Sequence, residues 1–213
     1  MVTRSSSLPV WVLGIATMAA LGRGQAAIPF ESNGLQYRAL TRGGLTIMIA
    51  RLTTHVRDWD IFQIAITNGT PVSWTVKPED FRFEREAGPP IPALAAHEVV
   101  ETLLKKAGRN DATKLVVAYE AALFGNMQFH ATNGYESRRQ DAMAYGATRF
   151  NAAATASAIV LAPAKLAPGQ STDGAVFYVN GGKPLGAGKV IGNVAGEEFV
   201  FQVDAELPQN SHR

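Results

Sequence analysis

The hydrophobic period of this chain changes twice, and that change constrains the fold more than any other feature. Residues 45–83 carry strand-like patterns, residues 92–158 carry helical spacing, and strand-like segments return over residues 159–203. Strands are therefore expected at both ends of this region and helices in the middle. A doubly wound parallel sheet, which needs strands and helices in regular alternation, does not fit this order.

The first block of strands is predicted over residues 45–53, 59–67, 72–76 and 81–83, all rich in apolar or β-branched residues. Residues 59–67 alternate, so that Phe62, Ile64 and Ile66 share one face while Trp59, Ile61, Gln63, Ala65 and Thr67 share the other. The dipeptide Asn68-Gly69 follows and predicts a tight turn, because both residues tolerate positive φ.

Three helices are predicted in the middle of the chain. Val99, Val100, Leu103 and Leu104 share a helical face, and the two lysines and the glycine of residues 105–108 end that helix. The second is expected over residues 111–125 and the third, rich in alanine, over residues 135–158.

The second block of strands is predicted over residues 159–161, 174–179 and 199–203, with a turn at 166–169. Glycines cluster in residues 186–192, which predicts a flexible loop rather than a phosphate cradle, since no helix pattern follows. Residues 27–44 are interpreted as an N-terminal lead-in and residues 206–213 as a flexible tail.

The first 26 residues have the three parts of a secretory signal peptide. Arg4 provides the positive start, residues 8–21 form an apolar stretch, and Gly24 and Ala26 provide a small-residue cleavage site. The apolar stretch is shorter than the roughly 20 residues that span a bilayer. We expect cleavage, with an uncleaved anchor as the alternative, and hence a periplasmic or extracellular protein.

Composition then narrows the possible partners and compartments. The chain has 20 Lys and Arg against 18 Asp and Glu, and the signal segment holds two of the arginines, Arg4 and Arg23, so the mature chain is neutral. A neutral chain has no overall attraction to nucleic acid. The chain has no cysteine, which excludes disulfides and, in an exported protein, favours a bacterial source.

Two late segments carry a resemblance to a known group of proteins. They are L-A-P-G-Q-S-T-D-G-A-V-F, residues 166–177, and G-E-E-F-V-F, residues 196–201. With the preceding I-A-I-T-N-G-T segment, this pattern resembles bacterial secreted immunoglobulin-like domains of unknown function, in the immunoprotective extracellular protein superfamily. The resemblance implies an extracytoplasmic immunoglobulin-like β-sandwich and implies no reaction.

One motif in the helical middle approaches a zinc-hydrolase pattern. His97 and Glu101 are four residues apart and would share a helix face, with Glu98 as a possible base. A hydrolytic zinc site needs a third protein ligand, which the sequence does not indicate. The alternative is a helix N-terminus whose acidic residues complement the helix dipole.

The third predicted helix offers a candidate binding surface. Tyr135, Arg138, Arg139 and Arg149 give it a basic and aromatic character that suits an acidic or glycan partner. The alternative is a solvated helix face with pairs to neighbouring acidic residues.

These observations together predict a mainly β, immunoglobulin-like β-sandwich over residues 45–205 with a helical insertion over 92–158. The expected role is a non-catalytic binding, adhesion or assembly module of the bacterial envelope, without a cofactor. Its partner would be another envelope protein or a glycan, with no nucleic acid and no membrane span after cleavage. The alternatives are a metal-dependent hydrolase built on His97, Glu98 and Glu101, and a carrier of a small apolar ligand in a pocket between helices and sheet.

Overall fold

The fold is mainly β, with antiparallel sheets, and in the part of the chain that the structure describes helices lie between the seventh and eighth strands. The computed structural model describes residues 26–32, 34–53, 56–106, 110–111, 113–115, 117, 132, 137 and 149–205. The strands are β1 (Ile28–Ser32), β2 (Leu35–Arg42), β3 (Leu45–Arg51), β4 (Trp59–Asn68), β5 (Trp74–Val76), β6 (Phe81–Arg85), β7 (Ile91–Pro92), β8 (Ala164–Leu166), β9 (Ser171–Val179), β10 (Gly188–Val194) and β11 (Glu197–Val203). The helices with defined bounds in the described residues are α1 (Ala96–Lys106) and α2 (Arg149–Ile159), and a short 3-10 helix spans Pro78–Asp80.

The strands of the described residues form three sheets. Sheet 1 has the order β1-β2-β3-β4-β9, sheet 2 has the order β11-β10-β6-β7, and β5 pairs with β8 in a small third sheet. All of these strand pairs are antiparallel. The four strands β1 to β4 follow one another in both sequence and space.

Sheets 1 and 2 enclose the larger of two hydrophobic cores. Sheet 1 contributes aliphatic side chains such as Ile47 and Ile64, and sheet 2 contributes the rings of Phe81, Phe83 and Phe199. Phe62, Phe83 and Tyr178 lie within about 6 Å of one another, centroid to centroid, in edge and tilted arrangements. The burial of apolar and aromatic surface between these two sheets is the main stabilising contribution to the fold.

The second core lies on the opposite face of sheet 1, under the helices. Val99 and Leu103 of α1 and Ala156 and Ile159 of α2 pack on this face, against side chains that include Phe177. Sheet 1 is therefore covered on both faces, which explains why β4 and β9 are buried along almost their whole length. The predicted division of residues 59–67 is confirmed: Phe62, Ile64 and Ile66 face sheet 2, and Trp59 and Ile61 face the helices.

The predicted tight turn at Asn68-Gly69 is wrong. Neither residue has a positive φ, and β4 pairs with β3 and β9 rather than with the following strand. Asn68 is the last residue of β4, and a Cβ on Gly69 would lie 2.7 Å from the carbonyl oxygen of Gly44. Glycine suits this position because it has no Cβ, which lets the two backbone segments approach closely. It does not adopt a positive φ here.

The prediction that residues 27–44 form a lead-in outside the sheets is also wrong. These residues form β1 and β2, two of the five strands of sheet 1. Gly43 and Gly44 form the turn between β2 and β3, with φ of 53° and 84°. The alternation of buried Leu35 and Tyr37 with exposed polar neighbours was the sequence signal for β2.

The glycine-rich segment predicted as a loop is largely a strand. Residues 188–194 form β10, which lies between β6 and β11 in sheet 2. A Cβ on Gly188 or on Gly192 would lie 2.7 Å from the ring of Phe83 or Phe81, respectively. These glycines make room for aromatic rings on the neighbouring strand, a use of glycine in strands that composition does not distinguish from a loop.

The first predicted helix is confirmed as α1, and the C-terminal part of the third is confirmed as α2. Of the second predicted helix, residues 111, 113–115 and 117 are described and are helical, as is the preceding residue 110. Residues 159–161 are not a strand: Ile159 ends α2 and only Val160 makes an isolated parallel bridge to Ala175. Residues 1–25 and 206–213, which hold most of the signal segment and the tail, lie outside the described residues. No helix in the described ranges is long and apolar enough to cross a membrane.

Candidate binding groove

Helix α1 is fixed on sheet 1 by local signals at both of its ends. A carboxylate oxygen of Glu98 accepts a 3.1 Å hydrogen bond from the backbone N–H of Ala95, which satisfies a donor at the helix N-terminus. Lys105 and Lys106 lie in the last turn, where positive charge complements the helix dipole. Val99 and Leu103 are fully buried, so these two residues define the face that packs on the sheet.

A groove of about 450 Å³ lies between α1 and the segment that runs from the end of α2 to Ala162. Ala96, Val100 and Leu104 repeat every four residues and form an apolar row along α1. His97 and Glu101 form a polar row beside it, and Ser157, Val160 and Ala162 complete the lining. Leu104 is 41% exposed, so the apolar row continues to solvent at one end of the groove.

The structure brings the two predicted metal ligands, His97 and Glu101, into this groove. Both side chains are exposed, and Glu101 accepts a hydrogen bond from the ammonium group of Lys105 one turn later. This hydrogen bond and the charge of Lys105 lower the pKa of Glu101, and His97 lowers it further. Glu101 is therefore an ionised partner of a lysine in this arrangement.

A hydrolytic zinc site also requires a third protein ligand, which the sequence does not identify. In the part of the chain that the structure describes, no three His, Asp or Glu side chains come together to hold a metal ion. Glu98, the predicted base, is exposed and hydrogen bonded to the start of its own helix. The described geometry therefore supports the capping interpretation of these acidic residues.

The predicted basic and aromatic surface consists of Tyr135, Arg138, Arg139 and Arg149. Tyr135, Arg138 and Arg139 lie outside the described residues. Arg149 is the first residue of α2, and its side chain is not among those described. These four residues stay a prediction.

Sequence reasoning missed an ion pair inside the larger core. The Arg51 guanidinium pairs with the carboxylate of Asp60, and the two side chains are 11% and 1% exposed. The other oxygen of Asp60 accepts hydrogen bonds from the Asn180 amide at 2.9 Å and from the Leu185 N–H at 3.2 Å. Asp60 lies on the same inward face of β4 as Phe62. The alternation of residues in β4 therefore already indicated that one charged side chain points into the core.

A second buried polar group lies under the helices. The Gln63 amide donates a 3.1 Å hydrogen bond to Asp173 on the neighbouring strand, and both residues are at most 4% exposed. Tyr37 lies on the same face of sheet 1, where burial raises the pKa of its phenol to about 12 and the charge of Asp173 adds to the shift. This group makes the interface between sheet and helices partly polar.

Comparison with known proteins adds little. No protein-family model matches the chain, and no curated protein matches it. Among solved structures, the yjhA protein from Bacillus subtilis has 9% identity and a TM-score of 0.36, over 83% of this chain and 96% of that protein.

Proposed function

We propose that this protein is an exported, non-catalytic binding module whose groove between α1 and α2 holds an apolar segment of another envelope protein. The observation that carries the proposal is the apolar row of Ala96, Val100 and Leu104, which lies in an open groove of about 450 Å³ and ends in a half-exposed leucine. Apolar rows framed by polar side chains are typical of protein-binding grooves.

The lining favours a protein over a glycan as the partner. All eight lining residues are small, aliphatic or polar, and none is Phe, Tyr or Trp. Aliphatic side chains of a partner segment would bury against Val100 and Leu104, while His97 and Glu101 would meet polar groups at the edge. A partner that places one aliphatic side chain on Leu104 gains the most from this geometry.

We also propose the specific fold class, which is an immunoglobulin-like β-sandwich with a helical insertion over residues 92–158. Two antiparallel sheets with a shared core support the sandwich, and the position of both helices between β7 and β8 supports the insertion. Export rests on the signal-like pattern of residues 1–26.

Co-purification of matched variants tests the proposed groove. We would express the full chain with Leu104→Lys and, as a control, with Val72→Lys, because Val72 is a similarly exposed apolar residue outside the groove at 49%. Lysine keeps a high helix propensity and suits the last turn of α1. The amount of partner that co-purifies should fall about tenfold or more with Leu104→Lys. This is the loss of affinity expected when one leucine side chain is no longer buried in the complex. Equal retention by both variants would contradict the proposal.

Metal analysis separates the proposed function from the hydrolase alternative. We expect the purified protein to carry no stoichiometric zinc, and His97→Ala to leave the metal content and the unfolding midpoint unchanged. One equivalent of zinc that disappears in His97→Ala would contradict the binding-module proposal and favour metal-dependent hydrolysis.

A further inference from the structure

We propose a second site, on the opposite side of sheet 1 from the helices, that binds a small carboxylate with an apolar body. A cavity of about 160 Å³ opens at one end of the two-sheet core, beside the last described residues of β11. Its lining includes Ile49, Phe62, Arg38, Arg51, Gln36 and Asp204. The cavity therefore combines an apolar floor with two guanidinium groups, the pattern of an oriented small-molecule site.

The size of the cavity limits the ligand. A cavity of roughly 150 Å³ holds a molecule the size of benzene. Ile49 and Phe62 provide apolar surface for such a body, and both belong to the buried core. The ligand class is thus a monocarboxylate whose apolar body is about the size of a benzene ring.

Arg51 is held in a fixed position in this cavity. It pairs with the buried carboxylate of Asp60, which is itself held by Asn180 and by the Leu185 N–H. Its guanidinium carbon lies 5.8 Å from the centroid of the Phe62 ring. Paired with Asp60, Arg51 forms an ordered polar wall of the cavity, and Arg38 has to provide the charge that meets the ligand carboxylate.

Arg38 is the group that would bind the ligand carboxylate. Its Nη2 donates to the Asp204 carboxylate at 2.5 Å, and the two side chains are 30% and 85% exposed. An ion pair this exposed contributes little to stability, so another carboxylate can replace Asp204 at small cost. Asp204 already places a carboxylate on Arg38 at the cavity mouth, and a ligand carboxylate would take over this contact and extend its apolar body inward.

This competition gives a test in which two substitutions act in opposite directions. The probe is sodium benzoate, titrated into the purified full chain and followed by chemical-shift changes in NMR spectra, with benzamide as the neutral ligand of equal shape. Asp204→Asn should increase benzoate affinity several-fold, because it removes the competing carboxylate. Arg38→Gln should lower the affinity several-fold, the loss expected when a partly exposed ion pair is removed.

Arg82→Gln is the matched control, because Arg82 is equally exposed at 31%, pairs with Glu84 and Glu198, and does not line the cavity. It should leave benzoate binding unchanged, and thermal unfolding should show all three variants folded. The proposal is overturned if benzoate gives no saturable shifts at millimolar concentration, if benzamide binds equally well, or if Asp204→Asn weakens binding. Equal losses in Arg38→Gln and Arg82→Gln would also overturn it.

Discussion

At the scale of single residues, the buried side chain of Asn68 fixes the end of β4 through its hydrogen bonds. Asn68 is fully buried, and its amide donates to the carbonyl oxygens of Val72 at 2.7 Å and Leu166 at 3.0 Å. Its side-chain oxygen accepts from the N–H and the hydroxyl of Thr70. The indole N–H of Trp74 also donates to that hydroxyl, at 2.9 Å. One asparagine thus connects the end of β4 to both strands of the small sheet.

We therefore expect Asn68→Ala to destabilise the fold by about 2 to 4 kcal/mol, because it leaves several buried donors and acceptors unsatisfied. Urea unfolding of the purified protein measures this change. Asn193→Ala is the control, since Asn193 is an exposed asparagine in β10, and it should change the free energy of unfolding by less than about 0.5 kcal/mol. Similar effects of the two substitutions would show that the network contributes little.

Two buried tyrosines make the stability depend on alkaline pH. Burial raises the pKa of Tyr37 to about 12, helped by the charge of Asp173, and burial raises the pKa of Tyr178 as well. A raised pKa means that the folded state favours the neutral phenol. The stabilisation is complete below the unfolded pKa of about 10 and is lost as pH rises toward the folded pKa.

For Tyr37 alone the loss between pH 10 and 12 is about 2 to 3 kcal/mol, at 1.36 kcal/mol for each unit of pKa. Unfolding free energies measured at several pH values should fall across this window. Tyr37→Phe should reduce the slope, and Tyr178 contributes to the slope that remains. An unchanged slope in Tyr37→Phe would contradict the assigned pKa.

At the scale of elements, β9 is the outer strand of sheet 1 but its edge is covered. Leu94 N–H donates to the Phe177 carbonyl, Leu161 N–H donates to the Ala175 carbonyl, and Thr132 N–H donates to the Ser171 carbonyl. Three separate segments thus satisfy an edge that would otherwise offer free carbonyl groups to another chain.

Gly174 permits the closest of these approaches. A Cβ at position 174 would lie 2.5 Å from the Cα and 2.7 Å from the nitrogen of Leu161. We expect Gly174→Ala to destabilise the protein by about 1 to 3 kcal/mol, because the backbone of the covering segment must move away.

Hydrogen exchange localises this effect. The Leu161 amide should exchange much faster in Gly174→Ala than in the unaltered protein. Gly169→Ala provides the comparison, because Gly169 has φ of 76° and open space around it, so its substitution strains only the local turn. Unchanged protection of the Leu161 amide in Gly174→Ala would mean that the segment does not need the glycine.

Sequence periodicity predicted those elements whose pattern is local. The two faces of β4 and the spacing of Val99 and Leu103 in α1 follow directly from burial on one side. The presence of glycine did not distinguish strands from turns. Gly188 and Gly192 lie within β10 beneath aromatic rings, whereas Gly43 and Gly44 form a hairpin turn. The role of a glycine depends on what lies across from it, which a single sequence does not contain.

The candidate sites were predictable only in part, for the same reason. His97 and Glu101 share a helix face, so their proximity could be predicted from spacing alone. That Val160 and Ser157 would form the other wall of their groove depends on how α2 packs against α1. The pairing of Arg38 with Asp204 joins residues 166 positions apart, a distance at which no local pattern acts.

At the scale of the whole molecule, sheet 1 separates two different surfaces. One side carries the helices and their open apolar groove, and the other carries the phenylalanine-rich core with a small charged cavity at its end. A partner protein on the helices and a small carboxylate at the end of the core would therefore occupy distinct places. This arrangement predicts that benzoate and a partner protein bind independently of each other.

Site-specific photo-crosslinking in living cells is the most direct test of the groove. A photoreactive phenylalanine analogue would replace Leu104 in the full chain, and the same analogue at Val72, outside the groove, would be the control. We predict one discrete crosslinked protein of the cell envelope from position 104 and none of that mass from position 72. The same products from both positions, or none from position 104, would contradict a binding role for the groove.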